Sequence, residues 1–219
     1  SSIGRHLKVD SNVIFNELNL SSSAVSEISY MENNNFHATA TLNLNRFSAS
    51  RFLIYPPESL FNNSKSRIFK PKEFSLLRET DPRLLADQYC SLKHWLADAG
   101  KLELEDIAFF HMRHNSHTRK LTQLFMGGVF GWGVRLSNIA ISSILTIVLF
   151  SLIFHTTISS STLSKSFALS VQGFISSFFG EWSSYDPDGT VSTIVTIESI
   201  IGILFITVFI GAYIRKLLR

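Results

Sequence analysis

The order of apolar and polar positions divides the chain into stretches with different periods. From Val13 onward, large apolar residues recur every five positions, at Phe15, Leu20, Val25 and Tyr30, and after an interruption at Leu42, Phe47 and Phe52. Neither a helix nor an ordinary strand produces that spacing. Five is the repeat of a right-handed quadrilateral β-helix, in which each five-residue segment forms one side and its central residue points inward. An irregular antiparallel β region with alternating residues is the other arrangement open to this stretch. "YPPESLFNNSKS", from Tyr55 to Ser66, reads as a loop because of its paired prolines and its Asn/Ser cluster.

At Asp81 the period becomes helical. Asp81 is a good N-cap with Pro82 at the first helical position, and Gly100 supplies a stop. Between them Leu85, Tyr89, Leu92 and Leu96 fall at i, i+4, i+7 and i+11. A second helix is expected from about Glu103 to Leu124, with Ile107, Phe110 and Leu121 among its apolar positions, so that the pair forms an antiparallel hairpin. "FMGGVFGWGVRLSN", Phe125 to Asn138, carries aromatics and an arginine and reads as an interfacial elbow. Two runs then meet the length a bilayer demands, about 20 mainly apolar residues. They are Leu136 to His155 and Thr190 to Ile214.

Charge sharpens this division. Charged residues make up 17% of the chain, yet from Leu136 to Ile214 they are only Lys165, Glu181, Asp186, Asp188 and Glu198. Arg113, Arg119, Lys120 and Arg135 precede the first span, Arg215, Lys216 and Arg219 follow the second, and only Lys165 lies between, so both termini are expected in the cytoplasm. Ser1 to Asp10 has no apolar stretch of the signal-peptide kind, and the first span is expected to direct insertion itself. The net charge of +3 follows from this flanking asymmetry, and no nucleic-acid partner is expected. A single cysteine, Cys90, excludes an internal disulfide and suits a reducing compartment. His111, His114 and His117 stand three apart without a thiol or carboxylate pattern to complete a ligand set, so they are read as a polar edge, solvated or facing acidic headgroups, with no metal site. With no GxSxG, no P-loop and no paired catalytic carboxylates, no enzyme and no cofactor is expected.

The connector between the spans is long for a bland loop. In "STLSKSFALSVQGFISSFF", Leu163, Phe167, Ser170 or Val171, and Phe174 fall at helical spacing with small residues between them. The segment is about long enough to enter a leaflet without crossing, which makes it a re-entrant pore helix within a pore loop over 160–183. Glu198 lies about 12 Å into the second span at 1.5 Å per residue, too deep to snorkel. It is expected behind the pore loop, accepting hydrogen bonds from Ser176, Ser177 or the pore helix. Gly202, four residues on, is either a gating hinge or a site of close helix packing.

Span, pore helix, short turn and span, together with "TIVTIESIIGILFITVFIGAYIRKLLR", resemble the bacterial two-transmembrane potassium channels of the ion-channel-2 type. Glu198, Gly202 and the terminal "RKLLR" stand where that inner helix has its acid, its glycine and its basic end. "YCSLKHWLADAGKLELEDIAFFHMRHNSHTRK" followed by "GWGVRLSN" is similar to the juxtamembrane part of bacterial channels that also carry pentapeptide repeats, and "FHATATLNLNRFSASRF" resembles those repeats. The resemblance implies a tetramer in a bacterial inner membrane whose only bound species are permeant cations. Where that family has Thr-x-Gly-Tyr-Gly, this chain has Ser176, Ser177, Phe178, Phe179, Gly180 and Glu181. Phenylalanine resists the dihedrals that glycine gives such a filter, so the expected pore is a weakly selective cation pathway or an aromatic constriction. Glu181 forms an acidic ring at its mouth, joined by Asp186 and Asp188, unless these acids only solubilise an exposed turn.

The expected fold is therefore mixed: a cytoplasmic pentapeptide-repeat-like β region over 1–78, a cytoplasmic helical hairpin over 79–127, and an all-α two-span pore domain over 128–219. Gating is expected through the cytoplasmic part, by an unknown ligand or protein. The other functional expectation is a membrane-depolarising or membrane-anchored effector, as in bacterial defence, whose soluble domain senses a partner.

Overall fold

The computed structural model describes residues 2–61, 70–77, 79–117, 119–158, 161–179 and 189–218, which belong to two compact units, Ser1–Gly128 and Val129–Arg219. The first unit opens with β1 (Ser2–Ile3), β2 (His6–Asp10), β3 (Val13–Ile14), β4 (Glu17–Asn19), β5 (Ala24–Glu32), β6 (Asn35–Phe36), β7 (Thr41–Asn43) and β8 (Ser48–Tyr55). Their pairings are parallel: β1 and β2 lie along one edge of β5 and β8 along the other, β3 pairs with β6, and β4 with β7. His6 faces Ile28, 22 positions on, and Glu17 faces Thr41, 24 positions on. Parallel neighbours need a long connection, and here the intervening strands supply it.

The corners repeat with the strands. Ser11, Ser22, Asn33 and Arg46 have φ of 53°, 55°, 51° and 55°. Asn33 follows Ser11, and Arg46 follows Ser22, at the offsets of the neighbouring strands, so the left-handed corners stack in pairs. The Ser11 amide donates to the Glu32 carbonyl (3.0 Å) and the Ser22 amide to the Asn45 carbonyl (2.8 Å). Asn34, almost fully buried, accepts from the Asn12 amide at 3.1 Å and donates to the Val9 carbonyl at 2.9 Å. These bonds satisfy polar groups that a buried corner would otherwise strand.

Of the five-residue series, Leu20, Val25, Leu42, Phe47 and Phe52 are buried, Tyr30 is half-buried, and Phe15 is 62% exposed. Ile14 and Leu18 pack on the core in place of Phe15, and Met31, Phe36 and Leu44 join it. The offset of 22 to 24 residues exceeds the roughly 20 that four sides of five would need. The additional residues move the inward positions off a strict period of five.

The hairpin follows as α1 (Pro82–Asp98) and α2 (Leu102–Ser116). Asp81 accepts the Arg83 amide at 2.9 Å and caps α1. At its other end Gly100, at φ +68°, lets the Lys101 amide reach back to the Leu96 carbonyl (2.8 Å). Tyr89, Leu92, Trp95 and Leu96 join the strand residues in one core, and the Trp95 ring lies 4.7 Å from Phe52 and 5.5 Å from Phe47. The second helix ends at Ser116, short of the expected Leu124, and Leu121 is 81% exposed. The Ser116 hydroxyl (3.1 Å) and His117 Nδ1 (3.0 Å) both reach the Arg113 carbonyl, and this local competition for a terminal carbonyl ends α2 before a new turn, α3 (Lys120–Thr122), runs into a wide π-helical turn at Gln123–Val129.

The second unit contains a tight turn at Gly131–Gly133, then α4 (Leu136–Thr157), α5 (Leu163–Phe179) and α6 (Gly189–Leu217). The helices α4 and α6 are long and apolar enough to cross a membrane. Large apolar side chains stand exposed on both, among them Ile144, Leu145, Leu149, Ile200 and Ile203.

The contacts fix the directions of these helices. Leu152 of α4 shares a groove with Leu163 and Phe167 of α5, and further along α5, Ser170 reaches back to the Ile147 carbonyl, so α4 and α5 are antiparallel. Gly131 abuts Asn138 at the start of α4, and the Phe130 ring lies 5.2 Å from Phe205 in the second half of α6, whereas at the level of Ile147 the α6 residue is Glu198. The helices α4 and α6 are therefore antiparallel too, and α5 and α6 run in the same direction.

Candidate functional site

The three helices meet at Ser170. Its hydroxyl lies 2.8 Å from the Ile147 carbonyl of α4 and hydrogen-bonds the Glu198 carboxyl of α6, so one small side chain joins all three elements at one level. Both Ser170 and Glu198 are fully buried. The second carboxyl oxygen, Oε2, has no hydrogen-bond partner among the described residues and lies against Gly173, where a Cβ would stand 2.9 Å from it. A buried, half-satisfied carboxyl in an apolar helix is costly, and such groups mark functional positions more often than structural ones.

Glycine and serine make the closest part of the remaining α5–α6 contact. A Cβ on Gly202 would stand 2.0 Å from the Phe174 carbonyl oxygen, so the two backbones touch there, as small residues permit. The Ser199 hydroxyl donates to the Gly173 carbonyl at 2.7 Å, and Ser176 lies 3.0 Å from the Ser199 hydroxyl. Below them the Phe205 ring lies tilted against both Phe174 (6.0 Å) and Phe130 (5.2 Å), linking α5 to the turn that precedes α4. In that turn Gly131, Trp132 and Gly133 all have positive φ, 54°, 54° and 70°. A Cβ at Gly131 would come within 2.7 Å of the Arg135 Cβ, so glycine is required there by space as well as by φ.

The expected site residues are distributed as follows. Glu198 accepts a hydrogen bond from α5, one of the expected alternatives, and the donor is Ser170. Ser176 pairs with Ser199 instead. Ser176, Ser177, Phe178 and Phe179 complete α5 with helical backbone, rather than the extended backbone of a carbonyl-lined filter. Gly180, Glu181, Asp186 and Asp188 lie outside the described residues. Gly202 lies within an α6 that is helical from Gly189 to Leu217. The spacing of Ser166, Ser170 and Gly173, at i, i+4 and i+7, was the available signal for the buried face of α5.

The three histidines part company. His111 is buried, holds its Nε2 2.9 Å from the Lys72 carbonyl and stacks 5.3 Å from Tyr89; burial pushes its pKa down to about 4. His117 ends α2, and His114 stacks on Phe110. Among the described residues no group of three or more His, Cys, Asp or Glu is placed to hold a metal ion.

No protein-family model matches the chain, and comparison with curated proteins and with solved structures finds no significant match.

Proposed function

We propose that the chain is one subunit of a membrane pore, in which α4 and α6 span the bilayer and α5 is a re-entrant helix supporting an ion pathway. The observation that carries this reading is the shared direction of α5 and α6. Three successive spanning helices would alternate in direction, whereas a helix that dips in and leaves by the same face runs parallel to the span that follows it. Exposed apolar faces on α4 and α6 support contact with lipid and with neighbouring subunits. Four copies around an axis would bring α5 towards the centre, with Ser170, Gly173 and Phe174 braced from behind by Glu198 and Gly202. This agrees with the resemblance to two-transmembrane potassium channels.

The parallel pairings of the first unit support a short β-helix of 22 to 24 residues per circuit, closed on one side by the α1–α2 hairpin. The basic flanks of the spans support a cytoplasmic location for this unit in a bacterial inner membrane. The helical course of 176–179 leaves no extended carbonyl run there, so the pathway discriminates weakly among cations.

The same feature favours a second reading, a membrane-anchored effector without conduction. Purified protein in a planar bilayer under a potassium-to-sodium gradient separates the two. The pore reading predicts conductance with a reversal potential near zero between these cations and exclusion of chloride. No conductance at any protein load would leave the anchored effector, and a reversal at the potassium potential would refute weak selectivity.

A further inference from the structure

The first unit has a cleft of about 320 Å³ between α2, the start of the 70–77 segment and the π-helical turn. Its lining is mainly apolar, from Phe110, Leu124 and two glycines, with Gln123, Lys70, Lys120 and His114 beside them, and among the described residues no acidic side chain lines it. Phe110 is buried, and its ring stacks on His114 at 6.1 Å and 10°, which fixes the imidazole plane. The Gln123 side chain donates to the His114 carbonyl at 3.0 Å and so ties the turn to the end of α2. Lys70 pairs with Glu73 and still has two ammonium hydrogens to offer, while Lys120 makes no ion pair among the described residues. Burial and the nearby Lys70 hold the His114 pKa below its ordinary value, against the opposing pull of Glu73, so its imidazole is a neutral hydrogen-bonding group near neutral pH.

We propose that this cleft binds a phosphate ester. The Lys120 ammonium, the free hydrogens of Lys70 and a neutral imidazole offer charge and hydrogen-bond partners to a phosphate monoester, whose charge near neutral pH is about −1.5 to −2. The cleft is larger than a phosphate alone, which leaves room for the esterified body. Beside it Leu121, Leu124, Phe125 and Met126 are 81%, 68%, 50% and 44% exposed, an apolar face on the segment that carries Lys120 and Gln123. Two sources offer this chemistry, the headgroup of an anionic phospholipid and a soluble phosphate ester.

The test is a binding titration of the full chain in detergent micelles with dioctanoyl phosphatidic acid, glycerol 3-phosphate and, as the phosphate-free counterpart, dioctanoylglycerol. Saturable binding of phosphatidic acid, weakened about tenfold by Lys120→Gln and also by Lys70→Gln, supports the site with a lipid as its source. The same pattern with glycerol 3-phosphate at equal affinity supports it with a soluble source. Binding that dioctanoylglycerol reproduces, binding that neither variant changes, or no saturable binding of either phosphate overturns it. Lys120 is exposed, so its variant tests the ligand without disturbing the core. No conductance is read, and the outcome stands apart from that of the pore reading.

Discussion

At the scale of single residues, the buried surface between α5 and α6 depends on atoms that are absent. Gly202 has no side chain, and that absence lets the Phe174 carbonyl sit where a Cβ would be, 2.0 Å away. Gly211, on the same helix, has nothing within 4 Å of its Cβ position. Gly202→Ala should therefore lower the thermal midpoint of the detergent-solubilised protein, at a cost on the order of 1 to 3 kcal/mol, while Gly211→Ala should leave it unchanged. Equal midpoints would contradict the close contact. Glu198 was legible in the sequence because an ionisable group inside an apolar run must find an interior partner. Which residue of α5 donates to it was not. Ser170 is one of several small residues on α5, and only the angle at which α5 meets α6 brings it to Glu198 and Ser176 to Ser199.

At the scale of elements, α1 was readable from Asp81, Pro82 and Gly100 because each of those residues acts locally. The end of α2 was not, since it depends on Ser116 and His117 turning back to the Arg113 carbonyl, which periodicity does not register. The strand circuits were readable only as a spacing near five. Their real length is set at corners where Ser11, Ser22, Asn33 and Arg46 take positive φ, a conformation that only Asn among them signals in a sequence. His111 shows how packing of α2 becomes a response to pH. Unfolded, it takes up a proton near its ordinary 6.5; folded, its burial outweighs the opposing Lys72 carbonyl and it does so only near about 4. The unfolded chain therefore binds more protons between those values, and stability declines as pH falls from about 6.5 to about 4, by about 3 kcal/mol in all. The urea midpoint of the full chain in detergent, followed through the loss of α1–α2 structure, should fall between pH 7 and pH 4.5. In His111→Gln that part of the pH dependence should vanish, and a midpoint equally sensitive in both proteins would exclude His111 as its source.

At the scale of the whole molecule, the account rests on the path of the chain through the membrane. The 17 residues of α5 reach about 26 Å at 1.5 Å each, short of the roughly 30 Å of a hydrocarbon core, which suits the expected re-entrant helix better than a third span. The two paths differ at a single place, the start of α6. If α5 dips in and out, Thr162 and Thr190 lie on one face of the bilayer and Leu218 on the other; if α5 crosses, Thr190 changes sides. Replacing Cys90, the one cysteine of the chain, by serine clears the background for single cysteines at Thr162, Thr190 and Leu218. The most direct measurement is labelling of these three by a membrane-impermeant maleimide in oriented, intact cells or vesicles. The account predicts that positions 162 and 190 are labelled from the same face and 218 from the opposite one; labelling of 190 together with the face opposite 162 would contradict it.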